Sequence, residues 1–388
     1  MSLDGKSREY IEKHLNEKID KNRETDCIEA EEYLILCDKF KDRFKLRDYP
    51  VHSFPELSWK AWQQEDALDN EERDLIAENR YLATPEVVEN KLLLRYSARN
   101  IVDEGCFIPI DKLNKILERL VQKKNLILQG PPGTGKTWLA KRLAYALIGK
   151  RDSEYVRSVQ FHPNLSYEDF IRGWRPSEGG TLTLTDGPFM EIAERAKLNP
   201  TEKFVLVIEE INRGNPAQIF GEVLTLLEGD KRSEDSSLEL SYRRGKNERI
   251  YLPDNFYVIG TMNIADRSLA QMDLALRRRF AFIDLKPELG DIWKDFLLKN
   301  FGFQEQVLDK IQERLESLNE DIARDSKLGS QFCVGPSFVT PPIGMEIADA
   351  REWFSQVVET EIGPLLHEYW FDESDRAQKA KDALLKDL

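Results

Sequence analysis

The segment QGPPGTGKTW, residues 129–138, has the residue types and spacing that bind a polyphosphate. It fits the pattern G-x-x-x-x-G-K-[ST], in which glycines let the backbone point amide hydrogens at phosphate oxygens. A helix that begins directly after such a loop adds the positive end of its dipole. Lys136 is expected to contact the β and γ phosphates, and the Thr137 hydroxyl to bind Mg²⁺. The predicted nucleotide-binding residues are Gly130, Pro131, Pro132, Gly133, Thr134, Gly135, Lys136, Thr137 and Trp138.

A second candidate site is the acidic pair in FVLVIEEINRG, residues 204–214. The apolar run predicts a buried central strand that ends in Glu209 and Glu210. We expect Glu209 to bind magnesium through water and Glu210 to polarise the water that attacks the γ phosphate. Aspartate is more usual at the first position, so Glu209 departs from the common pattern. An acidic pair is often only a solvated surface feature, but that interpretation is weaker at the tip of a buried strand.

Polar and basic residues follow a third apolar run, NFYVIGTMN. Asn263 ends this predicted strand and could orient the water between Glu210 and the γ phosphate. Arg277, Arg278 and Arg279 then close a predicted helix before the last core strand, and three adjacent arginines cannot all face one way. Their plain interpretation is surface ion pairs. The functional interpretation is that Arg277 or Arg278 reaches the γ phosphate of a neighbouring subunit as an arginine finger.

The elements around these residues alternate between short β runs and helical periodicity. NLILQ, FVLVI and FYVIGTMN each lead into a polar or glycine-rich turn and then into a helical pattern. This order predicts an α/β fold with a parallel sheet and a ligand at the carboxyl ends of its strands. After FAFIDLKP the pattern is helical again. We predict a small, acidic, mostly helical N-terminal domain of unknown role at residues 1–100, an α/β nucleotide-binding core at 101–287 and a helical lid at 288–388.

Composition narrows the class of protein. The 388 residues carry a formal net charge of -14, so the protein as a whole repels nucleic acid and DNA contact requires a local basic patch. The cysteines at 27, 37, 106 and 333 form no C-x-x-C pair, which argues against a zinc site or a disulfide framework. The N-terminus has no apolar signal core, and no window has the length of a membrane span. We therefore expect a cytoplasmic protein without a membrane partner.

The order of phosphate loop, acidic strand, polar asparagine, arginine cluster and helical lid resembles that of AAA+ P-loop NTPases that form rings. The segments VQFHPNLSYEDFIRGWRP, EEINRGNPAQIFGEVLTLLE and TMNIADRSLAQMDLALRRRF are similar to the McrB family, the motor subunits of modification-dependent restriction systems. The family signature M-N-x-x-D-R is present as Met262, Asn263, Asp266 and Arg267. The resemblance extends over roughly residues 105 to 371 and does not include the N-terminal hundred residues.

The resemblance implies a hexameric ring that hydrolyses GTP, with ATP as the alternative nucleotide, and that uses Mg²⁺. It also implies a McrC-type endonuclease partner, which supplies DNA cleavage and stimulates hydrolysis, so that the chain meets DNA through the complex and has no nuclease activity of its own. We place Asp266 in catalysis, where it would couple Asn263 to that partner. The family's lid motif G-H-S-Y-F is present as Gly335, Pro336, Ser337 and Phe338, without the histidine.

Two other function classes remain open from the sequence. One is a MoxR-like AAA+ ATPase chaperone that remodels a protein partner, and the other is a scaffold whose nucleotide only controls assembly. Glu210 and Asn263 favour hydrolysis over the scaffold, and MNIADRSL favours the McrB family over MoxR. The basic stretch YRRGKNER, residues 242–249, is interpreted as a solvated turn, with contact to DNA or a partner as the alternative.

Overall fold

The computed structural model describes residues 96–177, 180–265 and 274–386. The chain divides into two compact units, Met1–Leu92 and Leu93–Leu388, and the first lies outside the described residues. The predicted N-terminal domain and the domain boundaries therefore stay predictions, and Asp266 and Arg267 also lie outside the described residues. Within the described ranges, no helix combines the length and the apolar character needed to cross a bilayer.

A five-stranded parallel sheet forms the centre of the second unit, in the order β2-β5-β6-β1-β7. Its central strands are buried on both faces because helices cover both sides, which explains their nearly continuous apolar runs. The strands are β1 (Asn125–Gly130), β2 (Val156–Gln160), β5 (Phe204–Glu209), β6 (Phe256–Asn263) and β7 (Ala281–Asp284). The prediction of an α/β core with a parallel sheet is confirmed.

Helices cover both faces of the sheet. Successive residues of a strand point to opposite faces, so they pack into two separate apolar layers. In β1, Leu126 and Leu128 pack into one layer and Ile127 into the other. The first layer includes Leu139 and Leu143, and the second is rich in phenylalanine. The helices are α1 (Ala98–Asp103), α2 (Ile110–Lys123), α3 (Lys136–Ile148), α4 (Tyr167–Phe170), α5 (Pro188–Leu198), α6 (Pro216–Phe220) and α7 (Leu274–Arg279).

An antiparallel hairpin between α4 and α5 was not predicted from the sequence. It consists of β3 (Arg172–Pro176) and β4 (Leu182–Asp186). Arg172 at its base is buried and contacts Asp186 and Glu248. A buried arginine in place of an apolar residue hides the alternation that normally indicates a strand.

A helical lid follows the sheet, as the sequence predicts. Its core forms around Trp293, Leu297, Ile311, Leu315 and Phe354. A π-helical turn at Val358–Ile362 joins two of the lid helices. The helices are α8 (Asp291–Phe301), α9 (Glu305–Arg324), α10 (Ala350–Val357), α11 (Gly363–Tyr369) and α12 (Ser374–Leu385).

Candidate nucleotide-binding and hydrolysis site

The phosphate loop connects the end of β1 to the first residue of α3. Gly133 and Gly135 have φ angles of 77° and 73°, a left-handed conformation that glycine adopts without strain. The Lys136 ammonium is buried under the loop and donates to the carbonyl oxygens of Gly130 at 3.1 Å and Pro131 at 2.8 Å. The loop thus curls around its lysine, which gives the backbone the concave shape that a polyphosphate requires.

Glu209 is the last residue of β5 and Glu210 follows it, and β6 lies between this strand and the β1 strand that leads into the phosphate loop. Glu210 has a φ of 53°, which is unusual for a residue with a side chain and costs roughly 1 kcal/mol or more. The bend is held by Thr261 on the neighbouring strand, whose hydroxyl accepts from the Glu210 amide at 3.2 Å and whose carbonyl accepts from the Ile211 amide at 2.9 Å. Because this bend breaks the alternation of an extended strand, Glu209 and Glu210 need not point to opposite faces.

Asn263 ends β6 beside the phosphate loop, where it pairs in register with Gly130. Its carbonyl accepts a hydrogen bond from the Asn212 side chain at 3.2 Å. Within the described parts of the chain, the Oδ1 atoms of Asn212 and Asn263 are buried and have no hydrogen-bond partner. Buried polar atoms are normally satisfied, so two open acceptors at this edge suit a site that binds a polar group or a water molecule. Asn212 was not predicted, although it lies two residues beyond the acidic pair.

Oxygen donors suitable for magnesium come from two elements that meet at this edge. Thr137 is the second residue of α3, and Glu209 ends β5. Mg²⁺ in nucleotide sites is held by one or two protein oxygens together with phosphate oxygens and water, so a sparse donor set fits it. Accordingly, the described residues contain no group of three or more histidine, cysteine, aspartate or glutamate side chains that could form a complete protein cage. Glu209 also contacts a lysine, Lys141, at 2.9 Å.

A cavity of about 420 Å³ opens beside the phosphate loop, between the core and the lid. The size and apolar lining are suitable for a purine and its ribose. One face of the Trp138 ring is covered by the Arg142 guanidinium at 3.6 Å, and Arg142 in turn contacts Glu104 at 2.7 Å. Burial raises the pKa of the Cys106 thiol in this cavity to about 11, which keeps it neutral at pH 7. Other lining residues are Phe107, Ile108, Gly133, Phe296, Pro336 and Ile343.

The lid contacts the phosphate loop directly through the stretch that replaces the family's lid motif. The Gly335 amide donates to the Pro132 carbonyl at 3.1 Å, and the Ser337 amide donates to the Gly133 carbonyl at 3.0 Å. A Cβ atom added at Gly335 would lie 2.2 Å from the Gly133 carbonyl carbon, so only glycine allows this approach. These are backbone contacts, and they do not need the missing histidine.

The three adjacent arginines point in different directions, as expected for consecutive residues of a helix. Arg279 turns inward and contacts Glu228 at 2.6 Å. The Arg277 guanidinium lies 5.5 Å from the centroid of the Phe282 ring, where it makes a cation–π contact. Arg278 is exposed and forms no ion pair with any residue that the structure describes. Arg278 is therefore the most available of the three for a contact outside its own subunit.

Comparison with known proteins agrees with this geometry. Residues 125–280 match the model of the AAA domain of the dynein-related subfamily, and residues 310–378 match the model of the McrB α-helical lid domain. The EcoKMcrB subunit of the type IV methyl-directed restriction enzyme of Escherichia coli K12 is 44% identical over 283 residues, which is 72% of this chain and 61% of that protein. The chain belongs to the McrB family.

Other relatives of this McrB-family chain include a second restriction component. The BsuMI component YdiS of a type II restriction enzyme of Bacillus subtilis is 30% identical over 252 residues, which is 54% of this chain and 72% of that protein. The crystal structure of a putative ATPase from Cytophaga hutchinsonii aligns with 61% of this chain and with 71% of the ATPase chain, at 15% sequence identity and a TM-score of 0.33. This likeness is too weak to support a conclusion. The chain spans about three fifths of the length of the Escherichia coli relative.

The arginines of the basic stretch at residues 242–249 contact neighbouring parts of this McrB-family core. Arg244 contacts Asp186 of the β3–β4 hairpin at 2.6 Å, and Arg243 contacts Glu239 at 2.5 Å. Arg249 donates to the carbonyl oxygen of Ser237. These arginines are exposed and contact the hairpin and its neighbouring loop, and residues 246–247 form a turn between them, which agrees with the interpretation of this stretch as a solvated turn.

Proposed function

We propose that this protein is a Mg²⁺-dependent nucleoside triphosphatase that assembles into a ring and powers a McrC-type endonuclease partner. The observation that carries the proposal is the meeting of three strand ends. Register pairs Gly130 of the phosphate loop with Asn263, and β6 lies directly between β1 and β5, which ends in Glu209. Phosphate-binding, water-orienting and carboxylate groups thus share one edge of a rigid sheet.

The residues divide the chemistry among them. Lys136 and the loop amides would bind and orient the phosphates, and Thr137 and Glu209 would hold Mg²⁺, which neutralises phosphate charge when bound. Glu210 would accept a proton from the attacking water, while Asn263 holds that water in line with the γ phosphate. The strained bend at Glu210 supports this assignment, since such conformations persist where the surroundings require them and concentrate at functional sites.

Assembly into a hexameric ring would complete the site in trans. Arg278 is exposed and has no ion-pair partner among the described residues, so it is free to reach a neighbouring subunit's γ phosphate. Arg277 is the second candidate, although its contact with Phe282 would have to open. An arginine supplied to the transition state can raise the rate by several orders of magnitude.

A mixing experiment tests this contribution from a neighbour. Arg278→Ala subunits lack the finger and Glu210→Gln subunits lack the water-polarising carboxylate, so mixed rings should contain some complete sites. We expect phosphate release in the mixture to exceed that of either variant at the same total concentration. A mixture no more active than its components, or a monomer in sedimentation with saturating GTPγS, contradicts the assignment.

GTP is the proposed substrate, and ATP is the alternative. The cavity beside Trp138 is large enough for either purine. The preference for GTP rests on the resemblance to the McrB family. Competition of GTP and ATP against a fluorescent GTPγS analogue measures the preference directly, and stronger competition by ATP would reverse it.

The proposed partner is a McrC-type endonuclease subunit. Two relatives are a subunit and a component of restriction enzymes, which supports a role within a larger assembly. The net charge of -14 supports contact with DNA through that assembly rather than through this chain alone. We propose that Asp266 transmits the partner's effect to Asn263, so that Asp266→Asn keeps the basal rate and partner binding but loses stimulation. Equal stimulation of wild type and Asp266→Asn contradicts this coupling.

A further inference from the structure

Glu209 is bound by a residue that the catalytic assignment does not use. The Lys141 ammonium lies 2.9 Å from the Oε1 atom of Glu209. Lys141 is on α3, four residues after Thr137, so the two side chains lie on the same face of the helix, one turn apart. The carboxylate and hydroxyl expected to hold Mg²⁺ are therefore accompanied by a fixed positive charge.

The sheet fixes the backbone of Glu209 next to α3. Its backbone is held in register with Gln160 of β2, and its carbonyl accepts from the Phe161 amide at 2.9 Å. The side chain is one methylene longer than the aspartate that is more usual here, and that extra length brings it to the second turn of α3. Lys141 occupies one of its two oxygens, which leaves Oε2 for a metal-bound water.

We propose that Lys141 is a positioning residue of the magnesium site, which holds Glu209 by one carboxylate oxygen and raises the Mg²⁺ concentration that nucleotide binding requires. The inference rests on the proposed Mg²⁺–nucleotide site. Lys141 and Mg²⁺ repel each other and draw on the same carboxylate. One helical turn separates Lys141 from Thr137 by about 6 Å along the axis, which is within the Debye length, so salt does not remove the repulsion.

The expected size of the effect follows from these charges. An ammonium group and a divalent ion that share one carboxylate would repel each other, and at a separation of roughly 6 Å this repulsion is on the order of tenfold even with the dielectric constant of water. Lys141 is 41% exposed and can move partly into solvent, which reduces the effect. Removing the charge should therefore lower the Mg²⁺ requirement by roughly three- to tenfold.

The test measures binding rather than turnover. A fluorescent GTPγS analogue is titrated with the full chain at a series of free Mg²⁺ concentrations, and the midpoint for Mg²⁺ is compared among variants. Lys141→Met keeps the aliphatic stem and removes the charge. Lys150→Met is the matched control, because Lys150 is 40% exposed, also pairs with carboxylates and lies beyond the far end of α3.

We expect Lys141→Met to lower the Mg²⁺ midpoint and Lys150→Met to leave it within about twofold of wild type. Lys141→Arg keeps the positive charge beside Glu209 and should leave the Mg²⁺ midpoint within about twofold of wild type. An unchanged or raised midpoint in Lys141→Met overturns the proposal, as does a midpoint lowered equally by Lys141→Arg. If wild type does not bind the analogue with Mg²⁺, the proposed function itself fails.

Discussion

A methyl group at position 335 should separate the lid from the phosphate loop. In Gly335→Ala the new Cβ would lie 2.2 Å from the carbonyl carbon of Gly133 and 2.6 Å from the amide nitrogen of Thr134. Carbon atoms in contact prefer about 3.5 Å, so the two backbones must part by about 1.3 Å. The φ of -85° at Gly335 suits alanine, and therefore only the lack of space opposes the substitution.

The cost of this substitution can be estimated from overpacking in protein cores, which is roughly 1–3 kcal/mol. If the lid relieves the contact by moving away from Pro132 and Gly133, that energy appears as weaker nucleotide binding, about tenfold for every 1.4 kcal/mol. We expect a GTPγS analogue to bind Gly335→Ala roughly 5- to 150-fold more weakly than wild type.

The assay combines fluorescence titration of the analogue with thermal unfolding and far-UV circular dichroism, which show that the variant is folded. Gly290→Ala is the matched control in the lid, because nothing lies within 4 Å of an added Cβ there and its φ is -80°. The control should bind within about twofold of wild type. If Gly335→Ala binds as tightly as wild type and melts at the same temperature, the lid does not depend on this close approach.

Two further predictions concern stability. Asn125 is fully buried, and its side-chain oxygen accepts a hydrogen bond from the Arg232 guanidinium at 2.8 Å. Asn125→Ala should therefore lower the free energy of unfolding, measured by urea denaturation, by roughly 2–4 kcal/mol, and a loss below about 1 kcal/mol contradicts this. Asn114 is exposed, so Asn114→Ala is the control and should change the free energy of unfolding little. Hydrogen bonds from the Trp370 indole and from backbone amides lower the pKa of Asp325 to about 2. The Asp325 carboxylate therefore contributes to stability above its unfolded pKa near 3.9, and this contribution is lost as the pH falls toward about 2. Over that pH range the free energy of unfolding of wild type should fall more than that of Asp325→Asn. Identical pH profiles of the two proteins in urea denaturation would refute this assignment.

The phosphate loop was predictable because its chemistry is local. The spacing of Gly130, Gly135 and Lys136, with a strand before and a helix after, determines how the backbone turns, and the structure has this loop between β1 and α3. The α/β core and the helical lid were predictable for a similar reason. Long apolar runs indicate buried strands and helical periodicity indicates helices, and both patterns are read from neighbouring residues alone.

The remaining features depend on neighbours that are distant in sequence. The pairing of Gly130 with Asn263 follows from the order of strands in the sheet, which no single motif encodes. The contact of Gly335 with the phosphate loop joins residues about two hundred positions apart. The hairpin was missed because its buried Arg172 is balanced by Glu248, a partner that the sequence does not reveal.

The central claim is that the edge formed by β1, β6 and β5 hydrolyses a nucleoside triphosphate. Its most direct test is phosphate release from GTP and ATP by wild type and Glu210→Gln, with and without Mg²⁺, alongside binding of the GTPγS analogue by both proteins. We expect Mg²⁺-dependent release by wild type, and unchanged analogue binding with almost no release by Glu210→Gln. Release by Glu210→Gln at the wild-type rate, or no Mg²⁺-dependent release by the wild-type protein, would contradict it.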